Sequence, residues 1–422
     1  MKTLQSIRGM HDILPEESSA WRWLEQRLEQ ILSAYGFDEI RLPMLERTEL
    51  FTRAIGQGTD VVEKEMYAFD DRNGESVCLR PEGTAGVVRA VLQHGLLNPP
   101  GIKLWYRGPM FRYERPQKGR QRQFHQTGVE LFGLEDAAAD VELLALGTRI
   151  WREIGIDDRV ELEINTLGDR ADRLRYRDAL VTFLRPHAAA LDDDSRRRLE
   201  TNPLRIFDSK VDTTQQILRD APRLVDSIGD AARTHFDQVC AMLERLGIRY
   251  RLNPGLVRGL DYYCRTVFEW TTDALGAQGT ICAGGRYDDL VEIQGGRPTP
   301  GIGFAMGMER LLELLRRDCD SFRIAPQAYL LGSDVSERLA LAEHLRGDWP
   351  ELRVVTDLQG GSFKAQFKRA DRSAAALALV LGEDELREGR VTVKFLQQDR
   401  EQQSVARDHL VAWLRETLDQ QA

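Results

Sequence analysis

The chain reads as an α+β protein. A first domain carries an antiparallel sheet flanked by helices, a helical insertion interrupts it, and a C-terminal α/β domain with a mixed, largely parallel sheet follows. Three observations carry this expectation. Two long strand patterns, 103–115 and 122–132, are joined by a short polar connection containing Pro and Gly, as antiparallel partners are. From about 168 to 248 the pattern turns helical and charge-rich before strands return. Beyond Ala325-Pro326 strands alternate with helices, the mark of a small α/β unit. The expected domains are therefore 1–167 with 251–322, the insertion 168–250, and 326–422. A length of 422 residues agrees, because single cores stop growing near ~250–300 residues.

The elements follow in order. Over 16–35, Trp21, Leu24, Leu28, Ile31 and Tyr35 recur at helical spacing, and Gly36 is a natural stop. Strands are expected at 39–42, 76–80, 103–115 and 122–132. Alternation in the last of these places Phe124, Gln126, Gly128 and Glu130 on one face, and His125, Thr127, Val129 and Leu131 on the other. Two polar groups and a glycine on one face suggest a sheet surface that holds a ligand; a plain solvent-facing strand is the blander alternative. A helix at 141–154 and a strand at 160–166 precede the insertion. Strands at 262–272 and 278–283 and a helix at 302–315 follow it. The last domain should carry strands at 328–331, 353–356, 376–381 and 391–395.

Composition narrows the function. With 42% hydrophobic and 30% charged residues the chain has no compositional reason for long disorder. A net charge of −9 argues against wholesale coating of a polyanion, so any nucleic-acid contact must be local. Two basic runs could supply one: Arg112, Arg115, Lys118, Arg120 and Arg122, and Lys364, Lys368, Arg369 and Arg372. The ordinary reading of either is a solvated face. Five scattered cysteines, Cys78, Cys240, Cys264, Cys282 and Cys319, suggest neither a disulfide framework nor a metal knuckle. With no apolar signal core and no membrane-length apolar stretch, a cytoplasmic setting is expected.

Several chemistries drop out. No GxxxxGK[ST] run exists, so a P-loop is not how a nucleotide would be held. In Gly301-Ile302-Gly303-Phe304-Ala305-Met306-Gly307 the third glycine falls one residue late for a dinucleotide fingerprint. The seven histidines form no HxxxH or HxH pair, and there is no GxSxG elbow. What remains is a set of arginines and carboxylates in strand contexts: Arg80-Pro81-Glu82, Phe111-Arg112-Tyr113-Glu114-Arg115, Gln126, Glu130, Arg258, Asp261 and Arg310. Guanidinium forks suit phosphate and carboxylate, which makes an arginine-based nucleotide site plausible.

These residues resemble those of the class II aminoacyl-tRNA synthetases, specifically the histidine family. The stretch ending in Arg41-Leu42-Pro43 resembles motif 1, Phe111 through Arg115 motif 2, and Gly301 through Met308-Glu309-Arg310-Leu311 motif 3. Leu79-Arg80-Pro81-Glu82-Gly83-Thr84, Leu256-Val257-Arg258-Gly259-Leu260-Asp261-Tyr262-Tyr263 and Ala283-Gly284-Gly285-Arg286-Tyr287-Asp288 resemble stretches particular to the histidine enzymes. The resemblance spans nearly the whole chain. It implies activation of L-histidine by ATP with Mg²⁺, transfer to the 3′ end of tRNA(His), and a homodimer.

Residue by residue, the resemblance implies that Arg112, Glu114, Arg120, Phe124 and Arg310 bind ATP, with Phe124 stacking on adenine. Glu82, Thr84 and Gln126 would receive the α-amino and carboxylate end of histidine. Glu130 and Tyr263 would bond the imidazole nitrogens, and Tyr262 and Tyr287 would line that pocket. Arg112, Arg258 and Arg310 would stabilise charge at the reacting phosphate, with Arg258 against the histidine carboxylate. Tyr262 and Tyr263 should point to opposite faces of a regular strand, so joint contact requires a bulge. Arg115 and Gln117 would read the acceptor end and Lys118 its phosphates. Phe363 and Lys364 would meet the anticodon, although Phe363 equally suits a core. No metal ligands are identified. A non-catalytic alternative is the regulatory subunit of ATP phosphoribosyltransferase, which lacks the C-terminal domain. The threonyl or prolyl synthetases would differ at Glu130 and Tyr263.

Overall fold

The computed structural model describes every residue except 1–2, 57–58, 118, 202, 225–226, 258–259, 261, 316–324 and 420–422. Two compact units emerge, Met1–Ser321 and Phe322–Ala422.

In the first unit α1 (Pro15–Ala34) opens with proline in its first turn and buries Leu24, Leu28, Ile31 and Leu32. Gly36, at φ +75°, ends it as expected. β1 (Asp38–Glu39) is shorter than the expected 39–42. Pro43 has no N–H to give a ladder, and the Arg80 guanidinium takes the Leu42 carbonyl instead. β2 (Leu45–Arg47), α2 (Thr48–Ile55), β3 (Tyr67–Asp70) and β4 (Ser76–Leu79) follow, then α3 (Thr84–Gln93), β5 (Ile102–Phe111) and β6 (Gln123–Phe132). Next come α4 (Ala137–Glu153), β7 (Glu161–Thr166), α5 (Arg170–Leu184), α6 (Asp193–Thr201), α7 (Asp212–Leu218) and α8 (Asp230–Arg245). β8 (Arg251–Leu252), β9 (Cys264–Thr271), β10 (Thr280–Arg286), α9 (Leu290–Ile293), β11 (Gly301–Gly307) and α10 (Met308–Leu315) complete the unit.

Its main sheet has eight strands in the order β1-β5-β6-β11-β10-β9-β7-β8. The pairings are antiparallel except at the edges, β1 with β5 and β7 with β8. The first part of the expected 302–315 helix, residues 302–307, is strand, while 308–315 is helical as expected. The alternation Ile302, Phe304, Met306, each buried, against Gly301, Gly303 and Gly307 has a period of two, and β6 and β10 satisfy the backbone on both sides. The helix starts only at Met308.

Helix α4, capped by the Asp136 side chain on the Ala138 N–H, packs against α8. Gly147 leaves room for the Trp270 ring, which meets Trp151 edge-on. The inserted helices do not separate: Leu180, Leu184 and Leu191 share one apolar cluster with Val87, Val88 and Tyr263.

The second unit contains β12 (Ala328–Gly332), α11 (Val335–Asp348), β13 (Val354–Thr356), α12 (Phe363–Arg372), β14 (Leu377–Leu381), α13 (Glu383–Glu388), β15 (Arg390–Phe395), β16 (Gln403–Ala406) and α14 (Leu410–Asp419). Its five-stranded sheet runs β13-β12-β14-β15-β16. The sheet is mixed but not largely parallel: β12 pairs parallel with β13 and β14, while β14–β15 and β15–β16 are antiparallel. Only residues 382–389 join β14 to β15, too short a link for the dozen or so residues a parallel crossover needs. β16, with Val405 as its single buried apolar side chain, had no strand signal strong enough to be expected. Among the described residues no helix is long and apolar enough to cross a membrane.

Candidate active site

Register explains why a cavity forms at the centre of the main sheet. Opposed residues share a face, so Gly108, Gly307 and Gln126 align, as do Ala305 with Gly128 and Gly303 with Glu130. β10 continues the row with Ala283 opposite Ala305 and Gly285 opposite Gly303. The middle of this face is therefore glycine and alanine, a floor almost without side chains. Above it lies a cavity of about 1080 Å³. The opposite face of β6 carries Thr127, Val129 and Leu131, all buried. The alternation in 124–130 thus places the polar face toward the cavity, and the solvent-strand alternative fails.

One wall is basic and aromatic. Arg112 lies over the Phe124 ring at 5.4 Å and donates from Nε to the Pro81 carbonyl at 2.9 Å. Arg120 pairs with Glu114 at 2.9 Å. Arg310 donates to the Gly119 and Thr280 carbonyls, which ties α10 to the loop between β5 and β6. Burial, then the Arg120 charge, hold the Arg310 pKa below its ordinary value. Nearby, burial followed by the Glu114 charge raises Glu65. These residues offer forked donors and one aromatic face, which suits a nucleoside triphosphate.

The other wall is buried and acidic. The segment before α3 is stapled to β5 by Arg80, whose Nε donates to the Pro109 carbonyl at 2.9 Å. Glu82 accepts the backbone N–H groups of Thr84 and Ala85 at 2.6 and 3.0 Å, closing the start of α3. Thr84 Oγ1 donates to Glu130 Oε1 at 2.7 Å, and Tyr287 donates to Glu130 Oε2. Burial pushes the Glu130 carboxyl up to about 8, with Glu82 adding to the rise and the two hydroxyls opposing it. Burial likewise raises Glu82. A Cβ at Gly303 would collide with the Glu130 carboxylate, so glycine is what lets that group lie against β11. The Gln126 side-chain oxygen is buried without a partner.

Tyr262 and Tyr263 both line this end of the cavity, with ring centroids 4.7 Å apart. The bulge that joint contact requires lies just beyond them. The β9–β10 register jumps between Gly285 and Arg286, and Arg265 takes the rare left-handed φ of 45°. Arg265 holds that turn by pairing with Asp169 at 2.8 Å.

The structure thus brings together Glu82, Thr84, Arg112, Glu114, Arg120, Phe124, Gln126, Tyr262, Tyr263 and Arg310 around one cavity. Glu130 and Tyr287, each 1% exposed, stand one layer behind its wall. Arg258, Gly259, Asp261 and Lys118 lie outside the described residues. Arg115 and Gln117 are exposed in the loop after β5, where Gln117 exchanges backbone bonds with Arg120. In the second unit Phe363, 39% exposed, and Lys364 open α12 behind Ser362, whose hydroxyl caps it. Gly360 and Gly361 precede them at positive φ, and Asp357 accepts the Gly360 N–H at 2.8 Å while pairing with Arg369.

Two residues escaped sequence reasoning. Arg286 is fully buried, donating to Asp140 at 2.8 Å, to Asp288 at 3.1 Å and to the Leu134 and Asp136 carbonyls. Asp140 also meets His235 at 3.2 Å, so this cluster joins α4, α8 and β10 beneath the site. The second is Tyr106 on β5, a cavity residue hidden in the apolar run Leu104-Trp105-Tyr106. Its signal was the facing Gly128, which leaves room for a ring.

Comparison with known proteins agrees with this geometry. The family model described as histidyl-tRNA synthetase matches residues 9–311, and an anticodon binding domain model matches residues 330–417. The chain is 56% identical over 416 residues to a histidine–tRNA ligase of Halorhodospira halophila, covering 98% of each. Among solved structures, the apo histidyl-tRNA synthetase of S. aureus superposes with a TM-score of 0.81 at 36% identity, over 98% of this chain and 100% of that one. A Bacillus halodurans structure described as an ATP phosphoribosyltransferase regulatory subunit/histidyl-tRNA synthetase shares the fold at 23% identity and TM-score 0.63, over 87% of this chain and 97% of that one. With a family model over most of its length and a relative of this identity over nearly all of it, the chain belongs to the histidyl-tRNA synthetase family.

Proposed function

We propose that the cavity above the glycine floor is where histidine and ATP react, the first half of the histidine–tRNA ligation that family membership assigns to the chain. The observation that carries this reading is the pairing, in one cavity, of an arginine–phenylalanine wall with a buried Glu82–Thr84–Gln126 wall.

ATP would lie against Phe124, with its phosphates met by Arg112 and Arg310 and with Glu114 and Arg120 exchanging partners as it enters. Histidine would place its α-amino group at Glu82, Thr84 and Gln126 and its imidazole toward Glu130 and Tyr263. Tyr287 would act through Glu130, and Arg112 would bridge the two substrates. The histidine carboxylate attacks the α-phosphorus, a P–O bond forms, and the bond to pyrophosphate breaks. Arg112, Arg258 and Arg310 stabilise the accumulating charge. The terminal 3′-hydroxyl of tRNA(His) then attacks the adenylate carbonyl and releases AMP, its proton passing to the departing phosphate.

Mg²⁺ enters as the companion of the triphosphate. Among the described residues no three His, Cys, Asp or Glu side chains gather to hold a metal ion, so no residue is assigned to it. Arg115 and Gln117 would meet the acceptor end, and Phe363 and Lys364 the anticodon. A homodimer fits the three-stranded sheet β2-β4-β3, which exposes Leu45 and Phe69 on one face. A cytoplasmic setting fits Cys78, Cys240, Cys264 and Cys282, none of which is in a disulfide. The matched anticodon domain counts against a purely regulatory reading.

The test is ATP–pyrophosphate exchange with each amino acid in turn, on the parent and on Arg258→Ala. Exchange that depends on histidine and collapses in the variant supports the reading. Exchange unresponsive to histidine overturns it.

A further inference from the structure

We propose that the Tyr106 hydroxyl is a binding group for the α-ammonium of the amino acid substrate, acting beside Gln126. Neither the motifs nor the family match assigns this side chain a role. The inference rests on the reading that the acidic wall receives histidine.

The ring of Tyr106 is threaded between two glycines. A Cβ added at Gly83, in the segment before α3, or at Gly128, directly opposite on β6, would run into the ring. The segment before α3 and β6 have therefore both given up side-chain volume to hold this tyrosine, and the residue is 1% exposed. A phenylalanine would fill that slot equally well, so packing alone does not explain the hydroxyl.

The hydroxyl lines the cavity yet has no hydrogen-bond partner. The Thr84 hydroxyl is near enough to act on the phenol, but it gives its proton to Glu130, and the Tyr106 oxygen is left without a hydrogen-bond partner of standard geometry. Buried polar groups are rarely left unpaired, and an exception inside a binding cavity points to the ligand as the partner. The surroundings say what kind of group that is. Tyr106 feels the charges of Glu130 and Glu82, and burial keeps its phenol protonated.

Position then narrows the target. Tyr106 pairs with Gly128, and Gln126 stands two residues along β6 on the same face. The Tyr106 and Gln126 side chains are diagonal neighbours, close enough for long side chains to reach one point. The Gln126 oxygen is another buried cavity atom of this face without a partner. With the Thr84 hydroxyl committed to Glu130 and so acting by positioning, two unsatisfied oxygens next to the Glu82 carboxylate make three acceptors, which matches the three donors of a primary ammonium.

The experiment is Tyr106→Phe, which removes the oxygen and keeps the ring. In histidine-dependent exchange the KM for histidine should rise roughly ten- to a hundredfold, the loss of a bond to a charged group. The KM for ATP should stay within about twofold and reports that the site is folded. Competitive binding of histidinol, which keeps the ammonium, should weaken in parallel. Imidazolepropionate, which lacks it, should bind the variant and the parent alike.

A histidine KM within twofold of the parent would overturn the proposal. So would an equal loss for imidazolepropionate, which would move the hydroxyl to the imidazole end. Glu130→Gln is measured alongside. If it weakens histidine while Tyr106→Phe does not, the Tyr106 assignment alone fails. If neither variant affects histidine, the placement of the amino acid fails with it.

Discussion

The two walls of the cavity are built on opposite principles. On the acidic wall Glu82, Glu130 and Tyr287 are at most 5% exposed, and their bonds to protein groups are in place before any ligand arrives, which leaves the Tyr106 and Gln126 oxygens open. On the basic wall Arg120 is 47% exposed at its side chain and pairs with Glu114, a partner that a phosphate can displace. The acidic wall is a fixed template; the basic wall holds one exchangeable ion pair, Arg120 with Glu114, beside Arg112 and Arg310, which are half-buried and bonded to backbone carbonyls. A fixed, buried polar template rejects ligands that cannot complete its hydrogen bonds, and on the proposed placement of histidine this is how an imidazole would be told from an apolar ring or chain of similar size. Triphosphate binding, as proposed for the basic wall, calls for charge and reach rather than discrimination, which exposed Arg120 and half-buried Arg112 and Arg310 would supply.

Four measurements would break or sharpen this contrast. The largest effect should come from Arg112→Ala, since Arg112 touches both walls. Exchange kcat should fall about 10²–10³-fold, the scale for removing one fixed donor from a developing charge. A drop below tenfold would make Arg112 a bystander.

The pH dependence of stability comes next. The Glu130 pKa is raised by folding to about 8 from an ordinary 4.5. Between those values the folded state holds a proton that the unfolded chain releases, so this group's contribution falls as pH rises from about 4.5 to 8 and is flat above. Over the whole window the loss should be on the order of 5 kcal/mol, about 3–4 kcal/mol of it between pH 5 and pH 8, since each tenfold change in proton affinity corresponds to about 1.4 kcal/mol. Urea unfolding of the parent at pH 5 and pH 8, compared with Glu130→Gln, isolates it, and the same pH dependence in both proteins would refute the assignment.

Tyr287→Phe should act through Glu130 alone. It removes one donor from a buried carboxyl, so the KM for histidine should rise about tenfold while the KM for ATP holds. A rise in both would place Tyr287 outside the acidic template. Arg120→Ala should have the smallest effect, because an exposed pair contributes little. Stability should move by less than about 1 kcal/mol and the KM for ATP by a few-fold. A large loss of stability would show the basic wall to be as fixed as the acidic one.

The sequence made the site's polar strand legible and its floor illegible for one physical reason. Alternation in 124–130 is a local property, and it placed Phe124, Gln126, Gly128 and Glu130 on the cavity face that register confirms. The floor is a property of several strands at once. Gly303 matters because Glu130 lies against it, and an apolar, glycine-rich run read alone suggested a helix at 302–315. Tyr106 was missed on the same ground, since its meaning comes from Gly83 and Gly128 elsewhere in the chain. In the second unit the parallel half of the sheet was visible as alternating strands and helices. The antiparallel half was not, because β16 offers one buried apolar side chain and the short link to β15 went unweighed. The roles of individual arginines came from resemblance, since spacing alone cannot separate a phosphate ligand from a surface ion pair.

The most direct test of the two-wall account is to titrate histidine and ATP separately into Glu130→Gln and Arg310→Ala. The account predicts a crossed result: Glu130→Gln weakens histidine at least tenfold with ATP unchanged, and Arg310→Ala does the reverse. If both variants weakened both ligands to the same extent, the cavity would be a single undivided site and the account would be wrong.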